Sequence, residues 1–474
     1  MAYNHGIRTK QIETSISTPV VAGSGIAFVV GTAPVQAVKG AVNEPIMCNS
    51  YAEAVKSLGY NDNWDNYTLC EVMYSQFVLY GVSPTVFVNV LDPAKHKKTI
   101  EAKAYPVKDK QAKLPIEAIA DTVNVEGYKK GEDYDLIYTN DNLIVEVIEG
   151  GKIAAEIGEL RINFTAVDPT MVTEKDIIGG YEIATNQYKG LELIDKVFAK
   201  YGIITDLIAV PKWSKKSTVA AVMATKCENI NGIFEARAVI DLDAKEVKSY
   251  SETTARKKKD NFFSKFQILC WPMVKLGDKK FNLSTHAIGR MAKTDVDNDG
   301  CPAESPSNKL IKIDGAVLED GTELLLDLKE ANYLNSQGIV TALNFIGGYV
   351  LWGNETACYP ANTDVKDYFI SISRMFGWVG NSVILSYWSK VDKKMTPRFV
   401  QSIVDSVNIW LNGLVAEGKL LGGRVEFRPE DNNLVELMAG KATFHIYLTP
   451  PSPAKEIVFT LEYDPGYVLA AFAA

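Results

Sequence analysis

A chain of 474 residues can bury two or three ordinary cores, and 47% hydrophobic with 23% charged residues leaves little room for long disorder. The net charge of −8 argues against nucleic-acid binding as the main role, because phosphate contacts need a clustered Lys/Arg surface. No window reaches the roughly eighteen apolar residues of a membrane span, and the first ten residues lack the apolar stretch of a secretory signal.

The first twenty residues, ending Ser15-Ile-Ser-Thr-Pro-Val20, carry no face of their own and read as an extended arm, with Ile12, Thr14 and Ile16 as its alternating positions. Ile26 to Val30, closed by Gly31-Thr-Ala-Pro34, reads as a strand buried on both faces. Ser50, with Glu53 in the reciprocal position, predicts a capped helix stopped by Gly59. A second helix is expected over Tyr67–Tyr80, ending at Gly81, followed by a strand over Thr85–Leu91.

The pattern changes over residues 95–185. Short alternating segments, Asp135–Tyr138, Leu143–Ile148 and Glu159–Phe164, are separated by Asn/Asp/Gly turns, with Gly150-Gly151 as a hairpin signal. An all-β insert is predicted there, facing outward. From Leu191 the α/β alternation resumes, with strands at Ile203–Val210, Ala236–Asp241 and Phe266–Trp271 and helices near Ser217–Asn229 and Ala244–Lys258.

Thr396, Pro397 and Gly418 bracket a long helix. Val400, Ile403, Val404, Val407, Leu411, Leu414 and Val415 form its apolar stripe, and Arg398, Gln401, Asp405, Asn408 and Asn412 its polar face. Strand-like segments follow at Arg424–Phe427, Lys441–Leu448 (with Phe444, Ile446 and Leu448 in alternation) and Glu456–Glu462. The Pro-rich spacer Thr449–Ala454 holds the last away from the body. In it Ile457, Phe459 and Leu461 alternate with Glu456, Val458, Thr460 and Glu462. The reading is a multi-domain α/β (α+β) protein: a central mixed sheet with helices, an all-β insert and extended terminal arms. Its segments are an arm 1–20, a first core part 21–94, the insert 95–185, an α/β body 186–360, a C-terminal core part 361–450 and a second arm 451–474.

Chemistry is hard to find. Four scattered histidines, six singly placed cysteines and no metal-ligand spacing give no metal or cofactor site, and the lone thiols suit a reducing cytoplasm. Gly23-Ser24-Gly25 precedes a strand, whereas a phosphate loop follows one. Asp295-Val-Asp297-Asn-Asp299-Gly300 opens like a calcium loop, but Pro306 stands where a bidentate Glu is required, so it reads as a solvated acidic turn. Arg256-Lys257-Lys258-Lys259 reads as a solvated helix face, and His445 as a half-buried strand imidazole.

Several stretches in order resemble the contractile tail sheath family of tailed phages and R-type bacteriocins. They are Gly6-Ile7-Arg8, Ser17-Thr18-Pro19, Gly25 to Pro34, Gly81 to Val88, Cys270-Trp271-Pro272, Gly289 to Asp295, Ser305 to Asn308, Leu334 to Ile339, Gly348 to Thr356, Ile372-Ser373-Arg374 and the helix from Pro397 to Gly418. Glu355 stands where the family usually carries Arg. The resemblance implies a structural protomer and no enzyme. Such a protomer polymerises helically around an inner tube by exchanging terminal strands, then contracts to drive the tube through a target cell envelope. It implies donor strands at Ile12, Thr14, Ile16 and Glu456–Glu462, an acceptor sheet at Phe444, Ile446 and Leu448, and a tube-facing helix presenting Arg398, Gln401, Asp405, Asn408 and Asn412. The implied partners are further copies of itself, an inner tail tube protein, and baseplate and tail terminator proteins. Nucleic acid and membrane insertion are not implied. Assembly is expected in the bacterial cytoplasm, ahead of release in the particle. A coat or surface-layer polymer that never contracts is the competing structural reading, and an α/β hydrolase or transferase with a β-insert the catalytic one.

Overall fold

The computed structural model describes residues 19–154, 156–183 and 186–473. A nine-stranded mixed sheet forms its centre, in the spatial order Lys309–Leu310, Tyr349–Trp352, Ile339–Asn344, Gln267–Cys270, Arg237–Asp241, Leu207–Ala209, Ala27–Gly31, Thr85–Asn89 and Ile46–Cys48. The six strands from Ile339–Asn344 to Thr85–Asn89 pair in parallel, and antiparallel pairings close both margins. Covering helices leave the inner strands no solvent face. Accordingly Ala27–Gly31, Thr85–Asn89 and Arg237–Asp241 are buried at every residue.

Local chemistry accounts for most helix ends. Ser50 Oγ accepts from Glu53 N at 3.2 Å, and the Glu53 carboxylate reaches back to Asn49 N at 2.8 Å, one residue before the expected partner. The helix expected over Tyr67–Tyr80 has two geometries: an α-helix over Thr68–Met73 and wider π turns over Tyr74–Tyr80, ending at Gly81 with φ 62°. In the wider turns Ser75 Oγ and Gln76 Nε2 both donate to Thr285 O, at 2.9 and 3.1 Å. Gly25 (φ 73°) has no room for a side chain, since a Cβ would lie 2.6 Å from Ala292 Cα.

The insert is one six-stranded antiparallel sheet, ordered Asn124–Val125, Glu159–Val167, Lys97–Lys108, Gln111–Pro115, Asn142–Val147 and Tyr134–Tyr138. It has a core of its own that includes Leu114, Leu143, Val145, Ile162 and Phe164. Gly150-Gly151 does not make a hairpin, because the strands on either side of it pair with other strands. A tight hairpin instead turns at Asp109-Lys110, both at positive φ (50° and 63°), the conformation that suits sheet twist.

Three expectations are corrected. The helix expected over Ala244–Lys258 is α-helical only over Thr253–Lys259, preceded by a single turn at Tyr250–Glu252 capped by Ser249. The basic run is not wholly solvated: Lys257 is buried and donates to the carbonyls of Gln337 and Tyr359, and burial lowers its pKa to about 8. Arg256 pairs with Asp260 and Glu246. The acidic segment is not a solvated turn either. Asp295 lies fully buried in the last turn of the Leu283–Asp297 helix and faces Arg374, while Asp297 and Asp299 stay in solvent.

Arg374 Nη1 donates to Asp295 Oδ1 at 3.0 Å, and Nη2 reaches Asp295 Oδ2, Asp206 Oδ2 at 2.7 Å and Ser24 Oγ at 3.3 Å. Asp206 Oδ1 accepts from Ile26 N at 2.8 Å. Burial raises the Asp295 carboxyl and the guanidinium opposes it. Removing one partner strands a charge in the interior. Arg374→Met is therefore expected to cost about 3–5 kcal/mol in urea unfolding, against a small effect for exposed Lys258→Met.

A second buried group sets a pH dependence. Glu71 accepts from Asn282 N at 2.7 Å, Asn282 Nδ2 at 2.8 Å and Thr285 Oγ1 at 2.9 Å, and burial pushes its pKa up to about 8. The folded chain therefore holds a proton there that the unfolded chain releases, and stability falls as pH rises toward 8. Buried Asp241, raised to about 6, is largely titrated by pH 6.5 and adds little. Lys257, lowered to about 8, opposes the loss only as pH nears 8. Buried His286, lowered to about 3, costs stability only below its ordinary 6.5. Between pH 6.5 and 8 thermal and urea unfolding should thus show a loss of about 2 kcal/mol, and Glu71→Gln should flatten that limb.

Candidate assembly surfaces

The long helix runs over Pro397–Ala416, with Thr396 Oγ1 accepting from Phe399 N at 3.2 Å and Gly418 in the left-handed region at φ 74°. Ile403, Val407, Trp410, Leu411 and Leu414 face the core, and the Trp410 ring lies 5.7 Å from that of Trp378. Arg398, Gln401, Asp405 and Asn412 are exposed, with Gln401 Nε2 donating to Asp405 Oδ1 at 2.8 Å. Asn408 departs from the expected polar face. It is half-buried, and both ends of its amide are taken up inside the subunit.

The partner of Asn408 is a two-stranded antiparallel sheet, Gly422–Glu426 against His445–Thr449, in the register Val425 to Ile446. Asn408 Oδ1 accepts from Val425 N at 2.9 Å, and its Nδ2 donates to Val425 O at 3.2 Å. These are the bonds a neighbouring strand would make, so the side chain closes the far edge of Gly422–Glu426 at its middle. Phe444, Ile446 and Leu448 are half-buried against the core, and the other edge of the sheet belongs to His445–Thr449. His445 is half-buried there, with Nδ1 3.8 Å from Asp431 Oδ2.

Beyond this strand the chain leaves the body. Among the described residues Glu456–Glu462 pairs with no strand, and all seven of its residues are exposed. Ile457 is 70% exposed, Phe459 84% and Leu461 94%, so the apolar face of the alternating segment is uncovered. A short helix at Pro465–Phe472, also exposed, follows within the second arm. Its signal was legible, since Asp464 accepts from Gly466 N at 2.8 Å and Pro465 occupies the first turn.

Ile12, Thr14 and Ile16 lie outside the described residues. The root of that first segment is well placed. Val20 N donates to Ser386 Oγ at 2.8 Å, Ala22 N to Ser382 Oγ at 2.9 Å, and Trp378 Nε1 to Ala22 O at 2.9 Å, which lays it along the Ile370–Tyr387 helix. These serines sit four apart on one helix face. Their role is invisible in sequence because the bonds span some 360 positions.

Among the described residues no group of three His, Cys, Asp or Glu is placed to hold a metal ion, and no helix is long and apolar enough to cross a membrane. All six cysteines are buried, and burial raises the thiols of Cys48 and Cys70 to about 12. Asp295, which opens the acidic motif, is sealed by Arg374.

No family model matches the chain. The tail sheath protein of Burkholderia phage BcepMu is 28% identical over 98% of both chains. Among solved structures, the anti-feeding prophage helical sheath in its contracted state superposes with a TM-score of 0.59 at 13% identity, covering 98% of this chain and 100% of that one. The sheath complex of the extracellular contractile injection system PVC, also contracted, gives 0.58 at 13% identity over 98% and 99%. The resemblance to the contractile tail sheath proteins is thus borne out, and the structural likenesses show the same fold.

The edge closed by Asn408 yields a prediction. Asn408→Ala leaves the buried Val425 amide without partners and should cost about 1–3 kcal/mol in urea unfolding. Exposed Asn412→Ala, on the same helix, should be nearly neutral.

Proposed function

We propose that this chain, similar over its whole length to a tail sheath protein, is the structural protomer of a contractile tail sheath. One observation carries the reading: an amphipathic segment, Glu456–Glu462, is presented in solvent on a chain whose His445–Thr449 strand ends a two-stranded sheet. A free strand of this kind is an aggregation hazard unless a defined acceptor captures it. In the proposal the acceptor is the sheet of a neighbouring copy, at Phe444, Ile446 and Leu448. The N-terminal segment with Ile12, Thr14 and Ile16 joins a neighbour in the same manner.

The energetics suit such a link. About six ladder hydrogen bonds at roughly 0.5–1.5 kcal/mol net each amount to several kcal/mol. Covering Ile457, Phe459 and Leu461 adds roughly 1.5–3 kcal/mol for each side chain fully buried. Links of that strength on extended arms survive while the compact bodies reorient from an extended, metastable lattice to a shorter, wider one. The difference between the two lattices supplies the work of driving the inner tube through an envelope, without nucleotide hydrolysis or any catalytic step. Arg398, Gln401, Asp405 and Asn412 form the face turned to the inner tube protein, and Asn408 is withdrawn from that role. The ends of the sheath meet baseplate and tail terminator proteins. Assembly takes place in the bacterial cytoplasm, and the insert faces outward.

Negative-stain electron microscopy tests this directly. The full chain should give hollow, striated tubes that shorten and widen on treatment with salt or urea, and a copy lacking residues 455–474 should stay monomeric. Monomers in both samples would overturn the reading. Tubes that never shorten would favour a non-contractile coat.

A further inference from the structure

Glu355 is 2% exposed, held in a backbone bridge with Phe369 just after the Tyr349–Trp352 strand. Its Oε2 accepts from Asn354 N at 3.1 Å. Its Oε1 lies 2.6 Å from Nζ of Lys455, a side chain that is itself about half exposed. The same ammonium sits 5.1 Å from the centroid of the Tyr359 ring, whose neighbour Tyr368 lies 5.3 Å away, centroid to centroid. Pro451–Glu456 forms one wall of a cleft of about 940 Å³, and Ser305, Asn308, Asn335 and Trp352 line the body side.

A carboxylate this deeply buried is strongly unfavourable unless paired, so its position in the body calls for a cation. That cation comes from the last residue before the donor segment. From Glu456 onward every described residue is exposed. The chain therefore passes from spacer to free strand at a single charged contact, with an aromatic ring as its second wall.

We infer that Glu355 and Lys455 are a positioning pair, a clasp that fixes where the donated C-terminal strand leaves its own subunit. The inference rests on the strand-donation reading above. With the clasp closed, the reach of the strand is counted from residue 455. With the clasp open, the count starts near Pro450, and the link gains up to about 20 Å of slack. A lattice built on clasped links has a defined spacing, whereas one built on slack links does not.

The experiment compares the full chain with Glu355→Gln, Lys455→Met, the exchanged pair Glu355→Lys with Lys455→Glu, and the copy lacking residues 455–474. Limited proteolysis of monomers reports release of the spacer, and the sharpness of layer lines from tubes reports lattice order. Both neutral variants should be cleaved in the spacer about tenfold faster and should form tubes with blurred layer lines, with the exchanged pair restoring both properties toward the parent. If either single variant does not fold, the doubly neutral Glu355→Gln with Lys455→Met, which leaves no buried charge unpaired, decides. Parental cleavage and sharp layer lines in Lys455→Met, with tubes lost only on truncation, would overturn the clasp and leave strand donation standing. Tubes from the truncated copy would overturn strand donation, and the clasp with it.

Discussion

The body is organised around one buried guanidinium. Arg374 lies in the helix that carries the root of the N-terminal segment, and it reaches the end of the Leu283–Asp297 helix through Asp295 and the start of the Leu207–Ala209 strand through Asp206. Ser24 and the Ile26 amide bring the lead into the first strand to the same point. Four segments far apart in sequence thus share one charge. A planar group with five donors in a fixed fork suits this better than an ammonium would. The net stability of such a cluster is small, because desolvation cancels much of the attraction. Its value is geometric: the arrangement is satisfied only when all four segments are in place together.

That constraint also ties the N-terminal root to the sheet. Trp378, Ser382 and Ser386 continue the helix beyond Arg374 and hold residues 20–22, so the direction in which the first segment departs follows from the same helix. The opposite end of the chain leaves through Pro-rich backbone, with one charge contact from half-exposed Lys455 to buried Glu355. The subunit therefore combines a body fixed by buried interactions with a C-terminal segment whose apolar side chains are exposed among the described residues. The proposed assembly would reconcile burial on this scale with exposure on this scale in one chain.

Much of the body was legible because its signals are local. Gly25 to Gly31 carries the mark of a strand with no solvent face, Ser50 and Thr396 announce helix starts, and Asp135 to Phe164 alternates with period two. The misreadings came where tertiary contacts override local pattern. Asp295 resembles a loop ligand in sequence and is buried by an arginine 79 positions away. Lys257 resembles its solvated neighbours, but carbonyls 80 and 102 residues distant draw it inside. Asn408 falls on the polar face by helical spacing, yet spacing cannot tell that a strand would settle against it. Gly150-Gly151 has the right turn chemistry, but strand pairing depends on which edges are free, which no dipeptide encodes. On the exposed segment Glu456–Glu462 the sequence was informative, since its alternation and the prolines before it are both local properties.

The amide of Asn408 standing in for a strand has a consequence of its own. A two-stranded sheet with both margins open would accept a guest on either side, and copies joined that way would branch. In the proposed assembly, closing one margin with a side chain leaves a single seat, and that seat is not the same surface as the guest it takes. Contacts of this kind join unlike patches head to tail and generate an assembly with a direction, so its two ends differ. One asparagine would thereby give the proposed assembly a polarity of its own.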